Sequence, residues 1–142
     1  MGSRGGKARG ATEEGKLGDS VRDLVEEYVR AVGERRFDRL QELMHPEVEF
    51  RGTTAAELRG APAVVEGFRR LGPVILRNDL RQMIVEGDRA AVLYDFVTDT
   101  EVGPVLSAEF LTVKDGRIRS ITLLFDWRRW PEVLEELGRR VA

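Results

Sequence analysis

Four side chains in this sequence could hold or move a proton in apolar surroundings: Glu109 in "LSAEFLTV", Tyr28 in "EEYVRAV", Asp95 in "VLYDFVT" and His45 in "LMHPEV". Glu109 and Asp95 stand among apolar residues on segments that read as strands, where a carboxyl turned inward loses hydration and its pKa rises. Two such carboxyls on one face would drive their proton affinities apart, giving one acid and one base. A tyrosine hydroxyl aimed at the same ligand oxygen would add a second donor, the arrangement of an oxyanion hole. His45, the only histidine, could serve as a base at a pocket edge. Each group also has a plainer reading. Strict alternation from Val92 puts Tyr94 and Phe96 on one side and Asp95 on the other. Tyr28 can be a core aromatic with its hydroxyl at the rim. His45, at the expected end of a helix, suits the negative pole there.

The face taken by Glu109 depends on a turn. If "KDG" is a three-residue loop with Gly116 left-handed, Val113 lies opposite Arg117 and Glu109 opposite Ile121, facing inward with Leu111, Leu123 and Phe125. If Asp115-Gly116 alone makes the turn, Val113 pairs with Ile118 and Glu109 with Thr122, and the carboxylate moves to the other face. Bulges can shift either register, so both stay open.

The elements that must position these groups follow from hydrophobic period. Val21, Leu24, Val25, Tyr28 and Val32 fall at helical spacing between a Ser20/Asp23 capping pair and Gly33. "FDRLQELM" reads as a second short helix. "HPEVEFRG" changes to alternation, a first strand, and a loop leads on to a third helix in "GAPAVVEGFRRLG". Four long strands follow: Val74 to Val85, Arg89 to Asp99, Val105 to Lys114 and Arg117 to Asp126, joined by short turns as antiparallel hairpins. Pro131 opens a short terminal helix. Segregated elements of this kind predict an α+β fold: three N-terminal helices packed on a curled antiparallel sheet, and a short C-terminal helix. Such a cone has an apolar interior suited to a small molecule. Its expected lining is Phe50, Phe68, Tyr94, Phe96, Leu111, Ile121, Leu123, Phe125 and Trp127.

Composition narrows the classes. With 142 residues, 42% hydrophobic and 34% charged, the chain suits one globular domain. Six of its fifteen glycines fall in the first eighteen residues, so residues 1–18 are expected to be a flexible tail or the remnant of an expression tag, and residues 19–142 the domain. A formal charge of -2 is a poor match to a phosphate backbone, so no nucleic-acid partner is expected. No long apolar run predicts a membrane span, and the N-terminal stretch lacks the apolar centre of a secretory signal, so a cytoplasmic location is expected. Without cysteine there is no thiolate chemistry. One histidine with scattered acids makes no metal set, and no phosphate-binding glycine loop occurs, so neither metal nor cofactor is expected.

The stretches "EEYVRAVGERRFDRLQELMHPEVEF", "LRGAPAVVEGF", "VEGDRAAVLYDF" and "FLTVKDGRIRSITLLFD" resemble the SnoaL-like branch of the nuclear transport factor 2-like superfamily. That branch holds polyketide cyclases, ketosteroid isomerases and epoxide hydrolases. The resemblance implies a cone-shaped α+β barrel, a small apolar ligand and homodimerisation. Likeness to ketosteroid isomerase would put its oxyanion tyrosine on Tyr28, its oxyanion acid on Glu109 and a pocket tryptophan on Phe125. Its general base would fall at about Gly52, where none exists. Limonene epoxide hydrolase would place its polar machinery on Phe50, Gly52, Phe96, Thr98 and Leu123, and none of that chemistry survives. The implied activity is of the isomerase, cyclase or lyase kind on a small apolar ring ketone or polyketide-like substrate, with Glu109 and Tyr28 stabilising an enolate and Asp95 or His45 as base. The alternative is a non-catalytic ligand-binding or dimerisation module of the same fold.

Overall fold

Helical spacing on the first helix, α1 (Gly2–Gly33), buries Val21, Val25, Tyr28 and Val32 in one stripe, and each such side chain contributes roughly 1.5–3 kcal/mol by leaving water. The computed structural model describes residues 2–53 and 57–142, with side chains from Gly15 onward. α1 runs through Ser20, so the Ser20/Asp23 pair caps nothing; the core nevertheless begins at Val21. Gly33 closes the helix by allowing close approach: a Cβ there would stand 2.5 Å from the backbone nitrogen of Asn78.

Beyond α1 come α2 (Phe37–Leu43), β1 (Met44–Gly52), β2 (Glu57–Arg59), α3 (Ala61–Leu71), a 3₁₀ turn (Gly72–Val74), β3 (Ile75–Glu86), β4 (Arg89–Thr98), β5 (Pro104–Lys114), β6 (Arg117–Phe125) and α4 (Trp130–Val141). The α+β order and the four long strands match the sequence reading. β2 is an addition, a short edge strand within the expected loop; residues 54–56 of that loop lie outside the described residues. The single sheet has the order β2-β1-β6-β5-β4-β3. β1 and β6 are parallel and the other neighbours antiparallel. The helices cover one face of the curled sheet. α3 presents Ala61, Val64, Val65 and Phe68 inward, and α2 buries Leu40 and Leu43.

The hairpin β5–β6 settles the register in a way that neither turn option gives alone. Asp115 and Gly116 both have positive φ, 54° and 73°, a two-residue turn of the hairpin-favoured kind. Val113 accordingly pairs with Ile118, but Thr112 pairs with Ser120 and Glu109 with Leu123. Arg119 is therefore the extra residue of a bulge, which restores the parity the short turn removes. Arg119 reaches across to β1, donating to the Glu47 carbonyl at 2.7 Å and to the Glu49 carboxylate at 3.2 Å. The consequence is an inward Glu109, on the face of Leu111 and Ile121.

The opposite face of the sheet carries Ile84 on β3, Leu106 and Phe110 on β5 and Leu124 on β6, between 45% and 60% exposed. No helix among the described residues is long and apolar enough to cross a membrane.

Candidate functional site

Three side chains from three elements meet beneath the helices. Glu109 projects from the middle of β5 at 2% exposure, Tyr28 from α1 at 1% and Tyr94 from β4 at 5%. Tyr28 Oη donates to Glu109 Oε1 at 2.6 Å, and Tyr94 Oη donates to Glu109 Oε2. Helix geometry brings Tyr28 there, because it shares the buried stripe of Val21, Val25 and Val32. Sheet geometry brings Tyr94: Val92 is the direct partner of Glu109 and Tyr94 that of Ser107, so Tyr94 is the diagonal neighbour on one face. Both oxygens of the carboxylate are thus satisfied, which a buried charge requires.

Burial pushes the Glu109 carboxyl above its ordinary value, and the two tyrosine hydroxyls pull it partway back. The hydroxyls of Tyr28 and Tyr94 are pushed well above the usual phenol range, chiefly by burial and then by the neighbouring Glu109 charge. A buried carboxyl between two phenols holds its proton more readily than an exposed one and has two hydroxyls through which to pass it.

An apolar cleft opens beside this cluster, between α3, the end of the sheet and α4. Its outer lobe, about 190 Å³, is lined by Phe50, Gly52, Leu58, Phe68, Leu123, Phe125 and Trp130 among others. Its inner lobe, about 60 Å³, shares Phe68, Leu123, Phe125 and Trp130 and ends on Tyr94, Phe96, Val105 and Ser107. Edge contacts stiffen the walls: Phe68 stands against Tyr28 at 6.2 Å and against Phe50 at 5.8 Å, and Trp130 against Phe125 at 5.0 Å, between ring centroids.

The structure brings Tyr28, Tyr94 and Glu109 together and leaves the two expected bases elsewhere. Asp95 faces the outside of the sheet, where Arg81 donates to it at 2.8 Å; the alternation of β4 separates it from Tyr94 and Phe96. His45 is not at a helix end but in β1. Its Nδ1 accepts from the Glu47 backbone N–H at 3.0 Å, and its Nε2 lies 3.8 Å from Asp115 at the hairpin turn. Since Met44 pairs with Ile118 while Glu109 pairs with Leu123, His45 is roughly 15 Å of strand away from the carboxyl.

Of the expected lining, Phe50, Phe68, Tyr94, Phe96, Leu123 and Phe125 border the cleft. Leu111 and Ile121, each 1% exposed, belong to the core beneath it. Trp127 is 56% exposed and lines neither lobe. Trp130 stands in its place, because α4 begins there and turns that ring back over Phe96 and Phe125. Ser107 lines the inner lobe as well, in register with Tyr94. Among the described residues no cluster of His, Asp and Glu is placed to hold a metal ion.

Comparison with known proteins agrees with this architecture. The SnoaL-like domain family matches residues 25–121, and the chain belongs to that family. No curated protein matches the chain by sequence. Among solved structures, a de novo designed protein with a curved β-sheet is 20% identical, with a TM-score of 0.71 over 85% of this chain and 96% of its own. A steroid delta-isomerase from Pseudomonas aeruginosa is 20% identical, with a TM-score of 0.68 over 86% of this chain and 91% of its own. An epoxide hydrolase of the LEH-like kind from M. tuberculosis is 16% identical, with a TM-score of 0.69 over 87% of this chain and 96% of its own. At these identities the likeness is one of fold.

Proposed function

We propose that this SnoaL-like domain is a small-molecule enzyme of the isomerase, cyclase or lyase kind, acting by proton transfer on a small, mostly apolar ring ketone or polyketide-like substrate. The observation that carries the reading is the buried Tyr28–Glu109–Tyr94 cluster set directly behind an apolar cleft. When Glu109 is neutral, one tyrosine proton is released toward a developing oxyanion. When it is ionised, the carboxylate can take a proton relayed through Tyr94. The test is conversion of a panel of cyclic ketones and 1,3-dicarbonyl compounds across pH. Glu109→Gln is expected to lower turnover by orders of magnitude with the fold retained. Absence of conversion by the parent, or unchanged turnover in the variant, would sink the reading.

A second reading, a non-catalytic binding module, is favoured by one observation: the cleft positions Gly52 and Leu123 carry no base. It predicts binding of apolar rings with no conversion at any pH.

Homodimerisation is part of the proposal and uses the outer sheet face. Leu106, Phe110, Leu124 and Ile84 form an exposed apolar area larger in character than scattered surface leucines. Phe110→Lys is expected to convert a dimer to a monomer in sedimentation equilibrium, with the cleft's ligand binding intact. A parent protein that sediments as a monomer removes this part of the proposal.

A further inference from the structure

Two hydroxyl residues line the inner lobe, Tyr94 and Ser107. A hydroxyl has one proton to give and two lone pairs to receive with. Both protons are already committed away from the lobe: Ser107 Oγ donates to the Val105 carbonyl at 3.0 Å, and Tyr94 Oη donates to Glu109 Oε2. Glu109 cannot reverse the second bond while ionised, because a carboxylate only accepts, and Tyr28 occupies its other oxygen. The titratable groups that face Glu109 are Tyr28 from α1 and Tyr94 from β4. β6 faces it with Leu123, its direct partner, and Ile121, α3 brings only Phe68 against Tyr28, and no charged side chain among the described residues bears on it. With Glu109 ionised, the polar end of the lobe is therefore a surface of lone pairs. On the remaining lining the polar side-chain atom is the indole N–H of Trp130, carried by α4.

We propose that the inner lobe accepts a hydrogen bond from its ligand, so that the ligand is a small ring compound carrying a hydroxyl, a phenol or the enol of a 1,3-dicarbonyl, in place of a simple ring ketone. The inference rests on the reading of the cleft as a small-molecule site and names its substrate class. A simple ketone offers only an acceptor and would meet lone pairs with a lone pair. An enol or phenol proton is accepted by a lone pair of Tyr94 Oη, and the ring occupies the aromatic walls. The placement also defines two roles. Tyr94 is the residue that touches the ligand, and Glu109 is a positioning residue that fixes which way the Tyr94 proton points.

Three probes of matched shape separate the possibilities: naphthol, tetralone and naphthalene, titrated calorimetrically at about pH 7, where a phenol keeps its proton. Naphthol is expected to bind about tenfold tighter than tetralone, the size of one net hydrogen bond. Tyr94→Phe should bring that ratio close to one while leaving naphthalene affinity unchanged. Glu109→Gln should move the ratio toward tetralone, because the introduced amide donates to one tyrosine and releases that tyrosine's own proton. A purely structural Glu109 would lower all three affinities together and leave the ratio alone. Tetralone binding as tightly as naphthol while naphthalene binds would overturn the inference and leave the pocket standing, and so would a ratio that survives Tyr94→Phe. If none of the three probes binds, the reading of the cleft falls and takes the inference with it.

Discussion

Glu109 and Asp95 sit on adjacent strands of one sheet, three residues apart in register, and receive opposite treatment. Glu109 faces the helices, is 2% exposed and is held by two phenols. Asp95 faces outward beside Leu106 and is held by an exposed arginine. The inner group has its proton affinity raised by its site, with burial as the first cause. The difference teaches that carboxyl placement here is a matter of strand parity, and that the inner face alone combines an apolar wall with a titratable group. On the proposed reading the inner face serves the chemistry, and the outer face is left for surface or for a second copy.

Removing the inner group should give the largest effect. Glu109→Ala leaves two tyrosine hydroxyls without an acceptor in a dry core and opens a small void, so destabilisation of about 2–4 kcal/mol is expected in urea unfolding. A loss well under 1 kcal/mol would mean that water reaches the cluster and that its burial is not what it looks like from the fold. The second contrast is between two tryptophans three residues apart. Trp130→Ala should weaken binding of an apolar ring about tenfold, because it takes away a cleft wall shared with Phe96 and Phe125. Trp127→Ala should leave that affinity unchanged. Equal losses would place the ligand outside the cleft.

Much of the fold was readable from period and punctuation. The stripe of α1, the helix in "GAPAVVEGFRRLG", the long hairpins and the Asp-Gly turn all follow from local chemistry. The face of Glu109 was not readable, because it depends on a bulge at Arg119 that is fastened to β1, some seventy residues away in sequence. His45 illustrates a local signal that was available: it precedes Pro46, and a residue before proline is biased out of the helical region toward extended backbone. That bias explains why β1 starts at Met44 and carries His45 away from the cleft. The choice between Trp127 and Trp130 turned on where α4 begins. Pro131 fits the first turn of a helix, which puts Trp130 at the helix start, facing back across the sheet end. Tyr94 was legible as an inward residue, but its role as a partner of Glu109 required the β4–β5 register.

The two faces should also separate in their pH dependence. In the unfolded chain the Glu109 carboxyl titrates near 4.5, and in the folded protein it titrates higher because burial disfavours its charge. Below the unfolded value both states hold the proton and the fold keeps its full stability. As pH rises through the folded value the unfolded state has already released its proton, so stability is lost. The parent protein should therefore lose stability from about pH 5 upward relative to Glu109→Gln, which stays flat in that range. Surface carboxylates carry the opposite sign. Asp126, held down to about 2 by Arg128, contributes above its unfolded value and loses its contribution only as the solution becomes strongly acid. Melting curves across pH that show one acid-side loss, and no loss as pH rises above the unfolded carboxyl value, would contradict the buried position of Glu109.

The smallest expected effect belongs to the outer carboxylate, and its size carries information. Arg81, 56% exposed, bonds Asp95 at 2.8 Å, while Arg77 holds Asp79, the cross-strand partner of Asp95. In a solvated setting such a pair is worth under about 1 kcal/mol and weakens with salt. A double-mutant cycle on Asp95 and Arg81 in dilute protein should return that value. Repeated at high protein concentration, the coupling should rise if a second copy covers the outer face, because desolvation strengthens a paired charge and penalises an unpaired one. A coupling that is small and salt-sensitive at every concentration would keep the outer face in water, and with it the exposed Ile84, Phe110 and Leu124. In that case the homodimer proposal would lose its surface while the chemistry of the inner face stood untouched.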